Sequence, residues 1–117
     1  LARYERLFDL PSAPGEVRVE AGFKEGYALA TRGNSPEARR ALWLVVDRFL
    51  LDEAARATIG EKGRYWLGRT LLVYADLCEK AKSPQEAREA YELVLRSGVW
   101  GENTAKAALE RLAGGGR

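Results

Sequence analysis

Ser35-Pro36-Glu37-Ala38-Arg39-Arg40-Ala41-Leu42-Trp43-Leu44-Val45 and Ser83-Pro84-Gln85-Glu86-Ala87-Arg88-Glu89-Ala90-Tyr91-Glu92-Leu93-Val94 are two versions of one helix start, equivalent once Gln85 is counted as an extra residue. Serine at a helix cap and proline in the first turn, where its missing N–H costs nothing, set the amino terminus. The alanines and large apolar residues at three- and four-residue steps then supply a buried stripe. A duplicated helix start points to an all-α repeat architecture, in which no unit can bury its apolar face alone and each must stack on its neighbours.

Working outward, Glu16 to Arg32 carries Val19, Gly22, Phe23, Gly26, Leu29 and Ala30 on one helical face and should stop at Gly33-Asn34. Ser35 is then expected to cap the next helix, with Pro36 at its first position and Ala38, Leu42, Val45, Phe49 and Leu50 facing inward. Gly60 to Gly63 reads as a break. Beyond it Tyr65, Trp66, Leu67, Leu71, Leu72, Tyr74, Ala75 and Cys78 predict the most buried helix of the chain. Ser83-Pro84 repeats the cap, and Ala87, Ala90, Tyr91, Val94 and Leu95 repeat the face until Ser97-Gly98. A last helix, Glu102 to Ala113, turns Ala105, Ala108, Leu109 and Leu112 inward. Its Glu102, Lys106, Glu110 and Arg111 are expected on the solvated side of a terminal cap. The expected organisation is one helical domain over residues 1–113, made of a remnant helix (1–10), a first pair (16–57), a second pair (60–98) and a capping helix (102–113), with 114–117 as a disordered tail. No stretch alternates with period two for long enough to argue for a sheet.

Composition narrows the function classes. Apolar residues make up 46% of the 117, charged residues 31%, and the formal net charge is +2, which gives no footprint for nucleic acid. No apolar run reaches the roughly 20 residues needed to cross a bilayer, so membrane insertion is not expected. There is no histidine and one cysteine, Cys78, which removes the common zinc sets and the Ser-His and Cys-His nucleophile pairs. No catalytic residue, metal site or cofactor is therefore expected. Cys78 reads as a small core residue, the four serines as turn and cap residues, and carboxylate pairs such as Glu86 with Glu89 as solvated helix faces. Gly60-Glu61-Lys62-Gly63-Arg64 lacks the spacing and the preceding strand of a phosphate loop and reads as an interhelical turn.

The small-then-aromatic pattern Ala87, Tyr91, Val94 resembles the second helix of a tetratricopeptide repeat. Gly26, Leu29, Gly33, Ala38, Leu42 and Val45 fall on that family's small, large, turn, small, large and small positions, whereas Gly22 and Glu25 stand where bulky apolar residues are usual. The equivalent alanines Ala38 and Ala87 lie 49 residues apart against a usual period of about 34, which longer helices across Leu51 to Arg69 would absorb; a HEAT-like array, with a period of about 40 to 47, stays open beside it. Ala2, Tyr4, Leu7 and Asp9-Leu10-Pro11 resemble the end of another second helix, as in the carboxyl-terminal piece of a longer array. Tyr4, Leu7 and Phe8 should pack on the helix near Glu16 or seek a second molecule.

The resemblance implies a right-handed superhelix of antiparallel helix pairs acting as a non-enzymatic scaffold for a protein or peptide. Its inner wall would come from the first helix of each pair: Glu20, Phe23, Tyr27, Ala30 and Thr31, then Arg69, Leu72, Val73, Asp76, Glu79 and Lys80. No Lys/Asn/Arg clamp for a terminal carboxylate is present among them. Trp43 and Trp66 are expected in the core, while Trp100, between glycines, is a candidate contact residue. Competing readings are a structural cap that self-associates through the amino-terminal apolar stripe, as a homodimer, and an accessory domain of an enzyme lying upstream. The Tyr65-Trp66-Leu67-Gly68 opening is similar to tetratricopeptide proteins of the bacterial envelope, which points to the periplasm or cell envelope, with the cytoplasm as the alternative, since a single buried thiol suits both.

Overall fold

The structure, a computed structural model, describes residues 7–115, and among them every regular element is a helix. In chain order these are α1 (Gly15–Thr31), α2 (Ser35–Phe49), the single turn α3 (Glu53–Arg56), α4 (Gly60–Lys80), α5 (Pro84–Ser97) and α6 (Glu102–Gly115). Leu7 and Phe8 are helical and precede the turn into α1. Tyr4 and the other residues before Leu7 lie outside the described residues.

The two hairpins, α1–α2 and α4–α5, are built on one hydrogen-bond pattern displaced by 49 residues. Arg32 N–H donates to Ala28 O, Gly33 to Ala30 and Asn34 to Leu29. In the second hairpin Ala81 donates to Leu77, Lys82 to Glu79 and Ser83 to Cys78. Gly33 and Lys82 occupy the same left-handed corner, with φ of 81° and 62°. That geometry suits glycine and leaves Lys82 as the non-glycine exception. Ala38 and Ala87 donate to Asn34 and Ser83, the residues that begin the two second helices. Gln85 is thus no insertion, because the repeats align without a gap. The SP motifs are instead offset by one residue, with Ser35 already inside α2 behind Asn34 and Ser83 at the cap of α5. Neither serine makes the side-chain cap bond expected of it; Asn34 donates to Glu37 Oε2 at 3.1 Å instead.

Small residues let the rods nest. Ala38 and Ala87 are both fully buried. At Gly26 an added Cβ would lie 2.4 Å from Leu42 Cδ2, and at Gly22 it would lie 2.5 Å from Val45 Cγ2 and 2.8 Å from the Phe8 ring. Gly22 therefore replaces a bulky residue because Phe8, from the preceding segment, fills its space. Phe8 is 4% exposed, meets Phe49 edge-on at 5.8 Å and carries Arg48 over its ring. It packs within the molecule, so it is not available to a second copy.

The hairpins stack so that α1 lies along α4 while α2 fits against both, and α5 in turn lies between α4 and α6. The shortest dimension is 18 Å, the width of two helix layers. One core runs through the stack from Val19 and Leu42 through Leu67, Leu71 and Cys78 to Val94 and Ala105. Helix α4 buries nine residues, more than any of its neighbours, because it alone is packed by α1, α2 and α5. The extra length of the repeat is absorbed only in part by long helices: α4, at 21 residues the longest, takes up 60–69, but the second helix of the first pair is not extended. Helix α2 stops at Phe49, and residues 50–59 form a connection in which Asp52 caps α3 by accepting from Ala55 N–H at 3.1 Å. Buried Leu50 and Ile59 pin that connection to the core. At the far end α6 continues through Gly114 and Gly115, two of the residues expected to be disordered; 116 and 117 lie outside the described residues.

One ionic clamp ties three helices together. Arg111 of α6 donates through Nη1 and Nη2 to the Glu79 carboxylate at 2.6 and 3.0 Å, and buried Tyr91 of α5 donates its hydroxyl to Glu79 Oε2 at 2.5 Å. Arg111 is therefore not simply a solvated cap residue. The bidentate guanidinium, followed by the tyrosine bond, holds the Glu79 carboxyl below its ordinary value, against burial. Burial and the same carboxylate push the Tyr91 hydroxyl up. A depressed carboxyl stabilises the fold above its unfolded value and stops doing so as pH falls through its folded value. Chemical denaturation of Glu79→Gln should thus show its largest deficit near neutral pH, narrowing below about pH 4. A deficit that stays constant across that range would mean that the carboxylate contributes no pH-linked stability.

Candidate functional site

Between the first helices of the two hairpins, α1 and α4, runs a groove of about 380 Å3 lined by Tyr27, Ala30, Thr31, Leu72, Val73, Asp76, Leu77 and Lys80. The 3.6-residue period places Tyr27, Ala30 and Thr31 on one wall and Leu72, Val73, Asp76 and Lys80 on the other. Seven of the residues expected on the inner wall, Tyr27, Ala30, Thr31, Leu72, Val73, Asp76 and Lys80, are thereby brought into one cleft. Tyr27 is 46% exposed, while Leu72 and Val73 are half-buried and form the apolar floor. Asp76 and Lys80 pair at 3.0 Å along the rim of α4. Thr31 turns its hydroxyl to Ala28 O at 2.9 Å.

The remaining predicted residues have other roles, all on the same two helices except Trp100, which lies between α5 and α6. Phe23 is 2% exposed, so it is a core residue rather than a contact residue, with Tyr27 stacked on it at 5.6 Å and Trp66 against it at 5.5 Å. Arg69 lies over Phe23, Trp66 and Tyr65, with its guanidinium carbon 4.7, 5.6 and 5.9 Å from the ring centres. Glu20 pairs with Lys24 at 2.7 Å one turn before Phe23. Trp100, 49% exposed, meets Tyr65 edge-on at 5.1 Å and lines, with Gly101, Glu102, Asn103 and Thr104, a recess of about 380 Å3, the same volume as the groove. A ladder of rings, Tyr27, Phe23, Trp66, Tyr65 and Trp100, thus joins the groove to the α5–α6 corner, with Arg69 over its middle. Glu79, also assigned to the inner wall, is held by Arg111 and Tyr91.

A second recess, of about 400 Å3, opens on the other side of the stack and has Pro36, Arg39, Arg40, Trp43 and Leu44 of α2 on one side and Tyr74 and Glu86 on the other. Trp43, expected in the core, is 37% exposed and stacks at a tilt on Tyr74, ring centres 5.2 Å apart. The signal for this recess was present in the helical period: Ala38, Leu42, Val45, Val46 and Phe49 complete the buried stripe of α2, so Trp43 and Leu44 fall outside it. Trp43 lies on the flank because its neighbour Leu42 already occupies the inward position.

Among the described residues no three His, Cys, Asp or Glu side chains gather into a metal-holding set, and no helix is long and apolar enough to cross a membrane. Cys78 is a free, fully buried thiol, pushed up chiefly by burial and so kept protonated. Burial, then Cys78 and Glu86, likewise raise Tyr74. Comparison with protein-family models, with curated proteins and with solved structures finds no match for this chain.

Proposed function

We propose that this chain is a non-catalytic docking module, a tetratricopeptide-like stack of helix pairs that holds a short protein segment in the α1–α4 groove. The observation that carries this reading is the groove itself. Side chains from the first helix of each hairpin converge there on an apolar floor of Leu72 and Val73, with half-exposed Tyr27 on one lip and the Asp76–Lys80 pair on the other. Its volume is at the small end of the roughly 300–1,000 Å3 of ligand sites, which suits a few side chains of an extended peptide better than a large cofactor. An exposed tyrosine above an apolar cleft supplies contact area at little cost in side-chain ordering, and polar groups at the rim set direction. The gap-free 49-residue register supports the superhelical reading, since one geometric step repeated is what generates a solenoid. The self-association reading has less support, because Phe8, the anchor of its amino-terminal stripe, is buried inside the molecule.

Selection of random displayed peptides on the immobilised chain, followed by affinity measurement, tests the proposal. Tyr27→Ala, with a melting transition still present, should weaken the selected peptides about tenfold, the effect of removing an aromatic hot spot. Lys80→Glu should change which peptides are recovered. Peptides that bind the parent and both variants equally would place docking elsewhere.

A further inference from the structure

We infer that the recess between α2 and the second hairpin is a separate binding site for an acidic peptide carrying an aromatic or large aliphatic side chain. Three observations converge there. Trp43 and Leu44 are 37% and 40% exposed, and Trp43 lies against Tyr74, so the recess presents an apolar surface that the fold leaves uncovered. Arg39 and Arg40 line the same recess, and neither has a carboxylate within ion-pair distance among the described residues, whereas Arg48, Arg56 and Arg111 each have one. The Nε of Arg39 is enclosed and has no hydrogen-bond acceptor. Its guanidinium rests against the Cys78 thiol, a neutral partner, so its charge stays unneutralised.

Chemistry selects the occupant. An enclosed guanidinium nitrogen without an acceptor is an unfavourable arrangement that an incoming carboxylate, offering paired oxygens, improves by neutralising the group. The recess contains one acid, Glu86, which accepts from the Tyr74 hydroxyl at 3.3 Å and keeps its single negative charge against two guanidinium groups. The two arginines therefore outweigh it, and the local field attracts anions. An uncharged apolar ligand would leave both guanidinium groups unpaired, while a bare anion would leave Trp43 and Leu44 wet. A segment with a carboxylate beside an apolar side chain meets both requirements. This site uses α2, α4 and α5 residues and none of the groove lining described above, so it stands or falls independently of the α1–α4 reading.

Fluorescence anisotropy with a labelled, amidated peptide of two glutamates followed by leucine and phenylalanine, and with the same peptide carrying glutamine for glutamate, tests the assignment. The acidic peptide should bind saturably and the glutamine version at least about tenfold more weakly. Arg40→Glu, at an exposed position, should weaken the acidic peptide about tenfold or more, as expected when a like charge replaces a complementary one. Arg39→Gln should do the same with a melting transition still present. Raising the salt from about 50 to 500 mM should weaken binding several-fold, and Tyr27→Ala should leave it unchanged. Equal binding of the glutamine peptide, indifference to Arg40→Glu, or equal displacement by a thymidine oligonucleotide would each overturn the proposal, the last by showing only a general attraction for polyanions.

Discussion

Gly68→Ala should lower the stability of the protein by about 2 kcal/mol, although alanine is the better helix former. Gly68 lies in the middle of α4, where the exchange would by itself contribute about 1 kcal/mol in favour of the variant. The new Cβ, however, would stand 1.9 Å from the carbonyl oxygen of Trp100, 2.7 Å from its carbonyl carbon and 2.9 Å from its Cα. These are backbone atoms of the corner between α5 and α6, so no rotamer change can clear them. The corner must move, and with it Val99, 5% exposed, and the start of α6. Overpacking of this kind costs about 3 kcal/mol at its upper end, which leaves a net loss of about 2 kcal/mol, or a drop in Tm of roughly 8 °C for a chain of this size. An unchanged or raised Tm would show that Trp100 does not sit over Gly68.

Ala87→Asp should be more severe, at about 2 to 4 kcal/mol. Ala87 is fully buried and begins the apolar stripe of α5, facing the same core as Cys78 and Leu71. An aspartate there adds volume where two helices nest and buries a carboxylate with no partner provided for it. The equivalent change at Ala38, also fully buried, should cost a similar amount, because the two sites hold the same place in the repeated hairpin. If thermal melts of the two variants matched that of the parent, the close-contact role of both alanines would be lost.

What the chain disclosed in advance, and what it did not, follows from how local each signal is. Glycine and proline punctuate the backbone over a few residues, so the hairpin turns at Gly33-Asn34 and Ser83-Pro84 and the end of α5 at Gly98, with φ of 67°, were legible directly. The buried stripes of α1, α2 and α5 were legible from periodicity for the same reason. The residues converging on the α1–α4 groove could be named because the resemblance supplied a rule for which helix faces inward. Long-range choices were not legible. Nothing near Arg111 in the chain announces Glu79, 32 residues earlier; Phe8 was expected on the helix near Glu16, but not that its ring would fill the space left by Gly22. Phe23 and Trp43 went astray for a different reason: the helical period already puts Phe23 on the buried stripe of α1 and leaves Trp43 outside that of α2, but the inner-wall rule of the resemblance and the usual burial of tryptophan point the other way. Of the extra repeat length, 60–69 does extend a first helix as expected, whereas 50–59 is a connection held by buried Leu50 and Ile59 rather than more of α2.

We expect the first helices of the two stacked hairpins, α1 and α4, to form the face that engages another protein. Amide chemical shifts of the isotope-labelled chain, recorded while a peptide selected on it is titrated, should move chiefly at Tyr27, Ala30 and Thr31 together with Leu72, Val73, Asp76 and Lys80, two sequence-distant segments responding as one. Shifts confined to the outer faces of α5 and α6, with those groove amides unmoved at saturation, would rule that face out.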